Sequence, residues 1–79
     1  MKHFVFILWS DRISRYYCGE TSNMESRLET HNNLGAKYTS RGIPWKLVKN
    51  IEVESRSEAR KLERKIKKRG IGRYLDDLK

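Results

Sequence analysis

His3-Phe4-Val5-Phe6-Ile7-Leu8-Trp9 is aromatic and β-branched with no polar residue after its first position. That composition favours extended chain, and the run is short enough for a single strand. Polar residues do not alternate with apolar ones, so the strand is expected to be covered on both faces. The following segment, Ser10-Asp11-Arg12-Ile13-Ser14-Arg15, is polar and turn-like. Tyr16-Tyr17-Cys18-Gly19-Glu20 then returns as a second strand, which closes an antiparallel hairpin.

Beyond the hairpin, Ser22-Asn23-Met24-Glu25 has the form of a capping box. It predicts a helix from about Asn23 to Asn32-Asn33-Leu34-Gly35, where Asn and Gly tolerate a left-handed cap. A basic loop over residues 37–44 leads to a third strand from Trp45 to Val53. Trp45, Leu47, Ile51 and Val53 are expected on one face of it, with Lys49 interrupting them. Ser55-Arg56-Ser57-Glu58 is a second capping box and predicts a long helix from Arg56 to about Arg69. Gly70-Ile71-Gly72 breaks it, and Arg73 to Lys79 forms a short last helix with Tyr74, Leu75 and Leu78 inward. The expected fold is α+β: one domain, residues 1–79, with a small three-stranded antiparallel sheet flanked by helices in the order β-β-α-β-α-α.

The chain has 79 residues, 37% hydrophobic and 35% charged, and a net charge of 18 − 10 = +8. No run approaches the roughly 18 apolar residues of a membrane span. One cysteine excludes an internal disulfide framework. The first ten residues lack a small-residue cleavage site, so no signal peptide is expected and the cytoplasm is the expected compartment. A surplus of cations on so small a chain attracts a polyanion, foremost nucleic acid. The alternative is a solvated basic helix that keeps the protein soluble. No membrane partner and no obligate protein partner are expected.

Several polar residues interrupt apolar stripes. Met24, Arg27, Leu28 and His31 share one arc of about 100° on the first helix. His31 reads either as a satisfied structural histidine or, beside Arg27, as a proton-transfer group next to a cation at a phosphate. On the second helix Glu63 falls within the arc of Ala59, Leu62 and Ile66, among basic neighbours. It reads either as an i,i+4 partner of Lys67 or as a carboxylate ligand for Mg²⁺, which often takes only one or two protein carboxylates. On the second strand Tyr17 and Gly19 share a face, and glycine there marks a close backbone approach. Thr21 follows on that side, to donate to a phosphate or to start the turn.

These residues in this order resemble the GIY-YIG nuclease domain family. Tyr17-Cys18-Gly19 matches its Tyr-Ile-Gly triplet, and Phe4-Val5-Phe6 lies where Gly-Ile-Tyr would be. The stretch from Gly19 to Asn32 matches the family's first helix, with Arg27 and His31 at the arginine and histidine positions. Residues 35–39 and 44–48 are similar to small stand-alone bacterial members, and residues 57–63 to the helix that carries the metal-binding glutamate. The resemblance implies a metal-dependent endonuclease with a single Mg²⁺ (or Mn²⁺) held by Glu63. It implies catalytic roles for Tyr17, Arg27, His31 and Glu63, and DNA rather than RNA as substrate, in repair or processing of branched or damaged DNA.

Two departures accompany the match. Phe6 replaces the first motif's tyrosine and has no proton to exchange, and Phe4 replaces the first glycine. The alternative reading is therefore a binding module that keeps the fold and cleaves weakly or not at all. In either case Lys37, Arg41, Lys46 and Lys49 are expected to contact phosphates.

Overall fold

The computed structural model describes residues 2–24, 26 and 40–79. In order, the regular elements among them are β1 (His3–Ser10), β2 (Arg15–Thr21), a 3₁₀ turn at Ser40–Gly42, β3 (Lys46–Val53), α1 (Arg56–Arg69) and α2 (Ile71–Asp77). The sheet is antiparallel with strand order β2-β1-β3. The expected α+β architecture is present, and β1 is the central strand.

Its apolar run explains that position. Val5, Phe6, Ile7 and Leu8 are all essentially inaccessible to solvent. Alternate side chains leave on opposite faces, so β1 supplies two cores. Val5 and Ile7, with Cys18 of β2, pack against Ala59 and Ile66 of α1. Phe6 and Leu8 pack with Trp45, and Tyr17, Met24 and Ile43 border them.

β3 departs from the single apolar face expected of it. Ile7 pairs with Lys49 but Leu8 pairs with Leu47, so Val48 is the extra residue of a β-bulge. The bulge shifts the side-chain alternation by one. Ile51 and Val53 lie with the α1 core, whereas Trp45 joins the Phe6–Leu8 core. Leu47 and Val48 are left 42% and 44% exposed on the sheet edge.

The end of the sheet is closed by small groups. The Ser10 hydroxyl, fully buried, donates to the Gly42 carbonyl at 2.6 Å. A Cβ on Gly42 would lie 2.4 Å from the Trp45 ring, so only glycine lets the 3₁₀ turn sit on that indole. The Ile43–Pro44 peptide that follows is cis.

Helix starts follow the capping chemistry with two adjustments. At α1 the Ser55 hydroxyl accepts from Glu58 N–H, as expected, but the Glu58 carboxylate reaches Glu54 N–H rather than the cap's own. At the start of the first helix Asn23, not Ser22, caps: its side-chain oxygen accepts from Ser26 N–H. Thr21 fixes this choice, because its hydroxyl accepts from Asn23 N–H and donates to Asn23 C=O. The remainder of that expected helix lies outside the described residues. At the other end of the chain the break narrows to Gly70, whose φ of +97° suits glycine. α2 begins immediately at Ile71, so Ile71, Tyr74 and Leu75 make its inward stripe. Leu78 lies beyond the last turn of α2 and is 51% exposed, contrary to its expected inward position.

Candidate active site at the β2 edge

The site begins with a cross-strand pair. Register places Phe6 opposite Gly19, and the Phe6 ring lies against the glycine: a Cβ there would come 2.8 Å from the ring's far carbon. The close backbone approach signalled by Gly19 is thus made by an aromatic ring of the chain itself. Tyr17 lies on the same face, its ring centroid 6.1 Å from that of Phe6 and 6.2 Å from that of Trp45. The three rings orient one another on the sheet face away from α1.

β2 is an edge strand, and α1 packs across the other side of it. Phe6, Tyr17, Gly19, Glu20 and Glu63 line one cleft of about 200 Å³. Two widely separated sequence signals, the Tyr-x-Gly triplet and the glutamate on the basic helix, meet there. Phe6 lines the cleft although only 1% of it is accessible, so its ring edge forms the floor.

The Glu63 side chain is 21% exposed and accepts from Lys67 Nζ at 3.0 Å. The expected i,i+4 pair therefore exists, and it stands at the cleft. Burial disfavours the charged form of Lys67, but the bond and charge of Glu63 outweigh it and hold the ammonium above its ordinary pKa. On the other side of β2, burial first and the Glu63 charge second push the Cys18 thiol up to about 11, with Lys67 opposing. Cys18 is a packed thiol.

Glu20 also lines the cleft, and sequence reasoning did not single it out. Its carboxylate bonds His3 Nε2 and lies 3.7 Å from Arg56 Nε. The available signal was strand alternation: residues 16, 18 and 20 point to the helix side of β2, as do 3, 5 and 7 of β1. A histidine and a glutamate on one face of neighbouring strands were placed to meet. His3, Glu20, Thr21, Ser22 and Arg56 bound a second hollow of about 220 Å³ beside the first. Thr21 is buried there, and its hydroxyl serves the Asn23 turn.

The other expected site residues are distributed differently. Arg27, His31 and Lys37 lie outside the described residues. Arg41 is exposed in the 3₁₀ turn. Lys46 bonds Asp11 at 2.8 Å, and Asp11 also accepts from Trp9 Nε1. Lys49 lies near Tyr16, Leu75 and Asp76, at the α2 end of the molecule and away from the cleft. Among the described residues no cluster of three or more His, Cys, Asp or Glu exists. No helix among them is long and apolar enough to cross a membrane.

Comparison with known proteins bears on the family and the fold. Residues 2–70 match the GIY-YIG catalytic domain. A UPF0213 protein of Syntrophus aciditrophicus is 42% identical over 81 aligned residues, covering 99% of this chain and 91% of its own. The UPF0213 protein YsiG of Lactococcus lactis is 39% identical over 64 residues, covering 78% of this chain. The chain spans only 60% and 62% of the length of the two Lactococcus lactis relatives it matches. The solution structure of the UPF0213 protein BH0048 from Bacillus halodurans superimposes with a TM-score of 0.61 at 32% identity, covering 100% of this chain and 86% of that one. With residues 2–70 matched by the family and the whole fold shared with a solved relative, the chain belongs to the GIY-YIG catalytic domain family, alongside the bacterial UPF0213 proteins.

Proposed function

We propose that this chain is a single-domain, metal-dependent endonuclease that hydrolyses phosphodiester bonds in DNA, in the cytoplasm, with a role in repair or processing of branched or damaged DNA. The observation that carries the reading is the meeting of Tyr17, Gly19 and Glu63 in one cleft at the β2 edge.

The donor set suits a small hard cation. Two carboxylates, Glu63 and Glu20, line the cleft, and Mg²⁺ characteristically takes one or two carboxylates with water and phosphate oxygens. Glu63 would hold the ion, and bound there it supplies Lewis-acid polarisation of the scissile phosphate. The rest of the chemistry falls to side chains. Tyr17 orients the attacking water at the cleft wall. Arg27 neutralises charge that grows on the phosphoryl oxygens, and His31 takes part in proton transfer, roles assigned by their family positions. Lys67 is more than half exposed, so its long side chain can turn from Glu63 to a phosphate oxygen. Lys37, Arg41, Lys46 and Lys49 add to the general attraction for the polyanion.

A second reading has one specific observation behind it. Phe6 gives the cleft floor a phenyl ring where the family motif carries a phenol, which favours a binding module that cleaves slowly or not at all. A panel of labelled nicked, flapped, branched and single-stranded substrates, with Mg²⁺, Mn²⁺ or EDTA, separates the two. Cleavage that needs the metal and disappears in Glu63→Gln supports the enzyme. Tight binding with no cleavage under any condition supports the module.

A further inference from the structure

The cations of this protein are not equally available. Lys2, Lys46, Arg69 and Lys79 each pair with a carboxylate, as do Arg56 and Lys67 at the two ends of α1, with Glu20 and Glu63. Arg60, Lys61, Arg64, Lys65 and Lys68 of α1 make no ion pair with any described residue. Arg12, Arg15, Arg41, Lys49 and Arg73 also make no ion pair among the described residues, but they are spread over several elements, whereas α1 gathers five such cations on one helix.

That surface has a direction. Arg56, Arg60 and Arg64 recur every fourth residue, so they form one ridge, and Lys67 continues it. From Arg56 to Arg64 the ridge rises about 12 Å, over which one strand of a duplex presents three or four phosphates. Arg56, Arg60, Lys61 and Arg64 line one depression of about 380 Å³. Arg60, Glu63, Arg64 and Lys67 line a second of about 380 Å³, which shares Arg60 and Arg64 with the first. Glu63 is common to this second depression and to the cleft with Tyr17 and Gly19. Shared lining residues thus link the three hollows in a row that ends at the candidate active site.

We infer that the Arg56–Arg60–Arg64 ridge of α1 is the track on which the sugar-phosphate backbone of the substrate strand lies as it enters the cleft. This rests on the nuclease reading for the identity of the cleft, but the binding surface is testable without cleavage. Apart from Ser57 and, at the cleft end, the Glu63 carboxylate, the lining is guanidinium and ammonium with no aromatic side chain, which grips phosphates and reads no bases. The ridge accordingly binds strands irrespective of sequence. The phosphodiester backbone is common to DNA and RNA, so 2′-hydroxyl discrimination must arise elsewhere.

The test is a salt titration by fluorescence anisotropy on the full chain. Labelled DNA and RNA strands of one sequence form two arms, and a scrambled sequence is included in each. The variant is Arg60→Gln with Arg64→Gln, both exposed and replaced by a good helix former. Circular dichroism and thermal melting verify that both proteins fold alike. The slope of log affinity against log salt falls by about 2 in the variant, roughly one per lost phosphate contact, and equally for both sequences. Lys46→Gln with Lys49→Gln changes the slope less. The arm with the tighter wild-type binding identifies the natural strand chemistry.

An unchanged slope in the α1 variant, an equal loss from the β3 variant, or no wild-type binding at low salt overturns the inference. The nuclease reading fails separately. A wild type that binds along the ridge but cuts nothing refutes the enzyme and leaves the track. A wild type that cuts, with an α1 variant unaltered in KM and slope, refutes the track and leaves the enzyme.

Discussion

The two faces of the sheet are built from different materials. On the α1 side, Val5, Ile7, Cys18, Ala59 and Ile66 interlock as small and aliphatic groups. On the opposite side Phe6, Leu8, Tyr17 and Trp45 form an aromatic layer, fitted onto Gly19 and Gly42, whose missing side chains make room for rings. The aliphatic face holds the helix that carries Glu63, and the aromatic face carries Tyr17. The cleft lies where β2, as the edge strand, lets the two meet. An edge strand gives a helix on one face and a side chain on the other access to a common space, which the central strand could not.

The largest expected change comes from altering the aromatic face at one atom. Phe6→Tyr adds the hydroxyl that the family motif carries. General acid–base groups contribute about 10²–10⁴-fold, so cleavage should accelerate measurably in single-turnover assays. An unchanged rate with a melting temperature lowered by a misplaced hydroxyl would show that the ring serves packing alone. On the aliphatic face the expectation is the reverse. Ile66→Ala removes a fully buried side chain and should cost about 2–5 kcal/mol in denaturant unfolding. Its cleavage rate per folded molecule should fall little, because Ile66 does not line the cleft.

Gly19→Ala probes the seam between strands. The new methyl meets the Phe6 ring, and overpacking of this kind costs about 1–3 kcal/mol. Shortening the ring should relieve it, so Gly19→Ala combined with Phe6→Leu should be less destabilising than the two single changes added together. Additive losses would refute the contact as the reason for the glycine. The smallest effect is expected at the helix ends. Hydrogen bonding from Arg69 is the main reason the Asp77 carboxyl lies below its ordinary value of 3.8. Its contribution to stability is present above that value and is lost as pH falls through the lower folded-state one. Both groups are exposed, so Asp77→Asn should change stability only slightly at neutral pH, and less again in high salt.

The sequence made the aliphatic face legible and the seams less so. The unbroken, aromatic and β-branched run of β1 reads as a strand covered on both faces, and the 59-62-66 stripe of α1 as a helix buried on one side. The bulge at Val48 left no mark, because Leu47, Val48 and Lys49 suit an edge strand in either register. Leu78 continues the 71-74-75 spacing, but α2 ends before it can pack. Glu63 was legible as an acid among bases. Glu20 was not, because its position at the cleft depends on which strand is the edge and where α1 crosses it. The α1 ridge was hidden for a related reason: paired and unpaired cations look alike in sequence, and only the ion-pair pattern of the folded chain separates them.

The central claim is that the cleft at the β2 edge cleaves phosphodiester bonds through Glu63. Glu63→Gln keeps the side chain's shape and helix propensity while removing its charge. Metal-dependent cleavage and equilibrium binding should be measured on the same substrate for wild type and variant, with folding verified by thermal melting. The account predicts cleavage abolished in the variant and binding retained or tightened, because a negative charge leaves a phosphate site. Cleavage per folded molecule equal to wild type, with only a lowered melting temperature, would contradict it and leave Glu63 as a structural partner of Lys67.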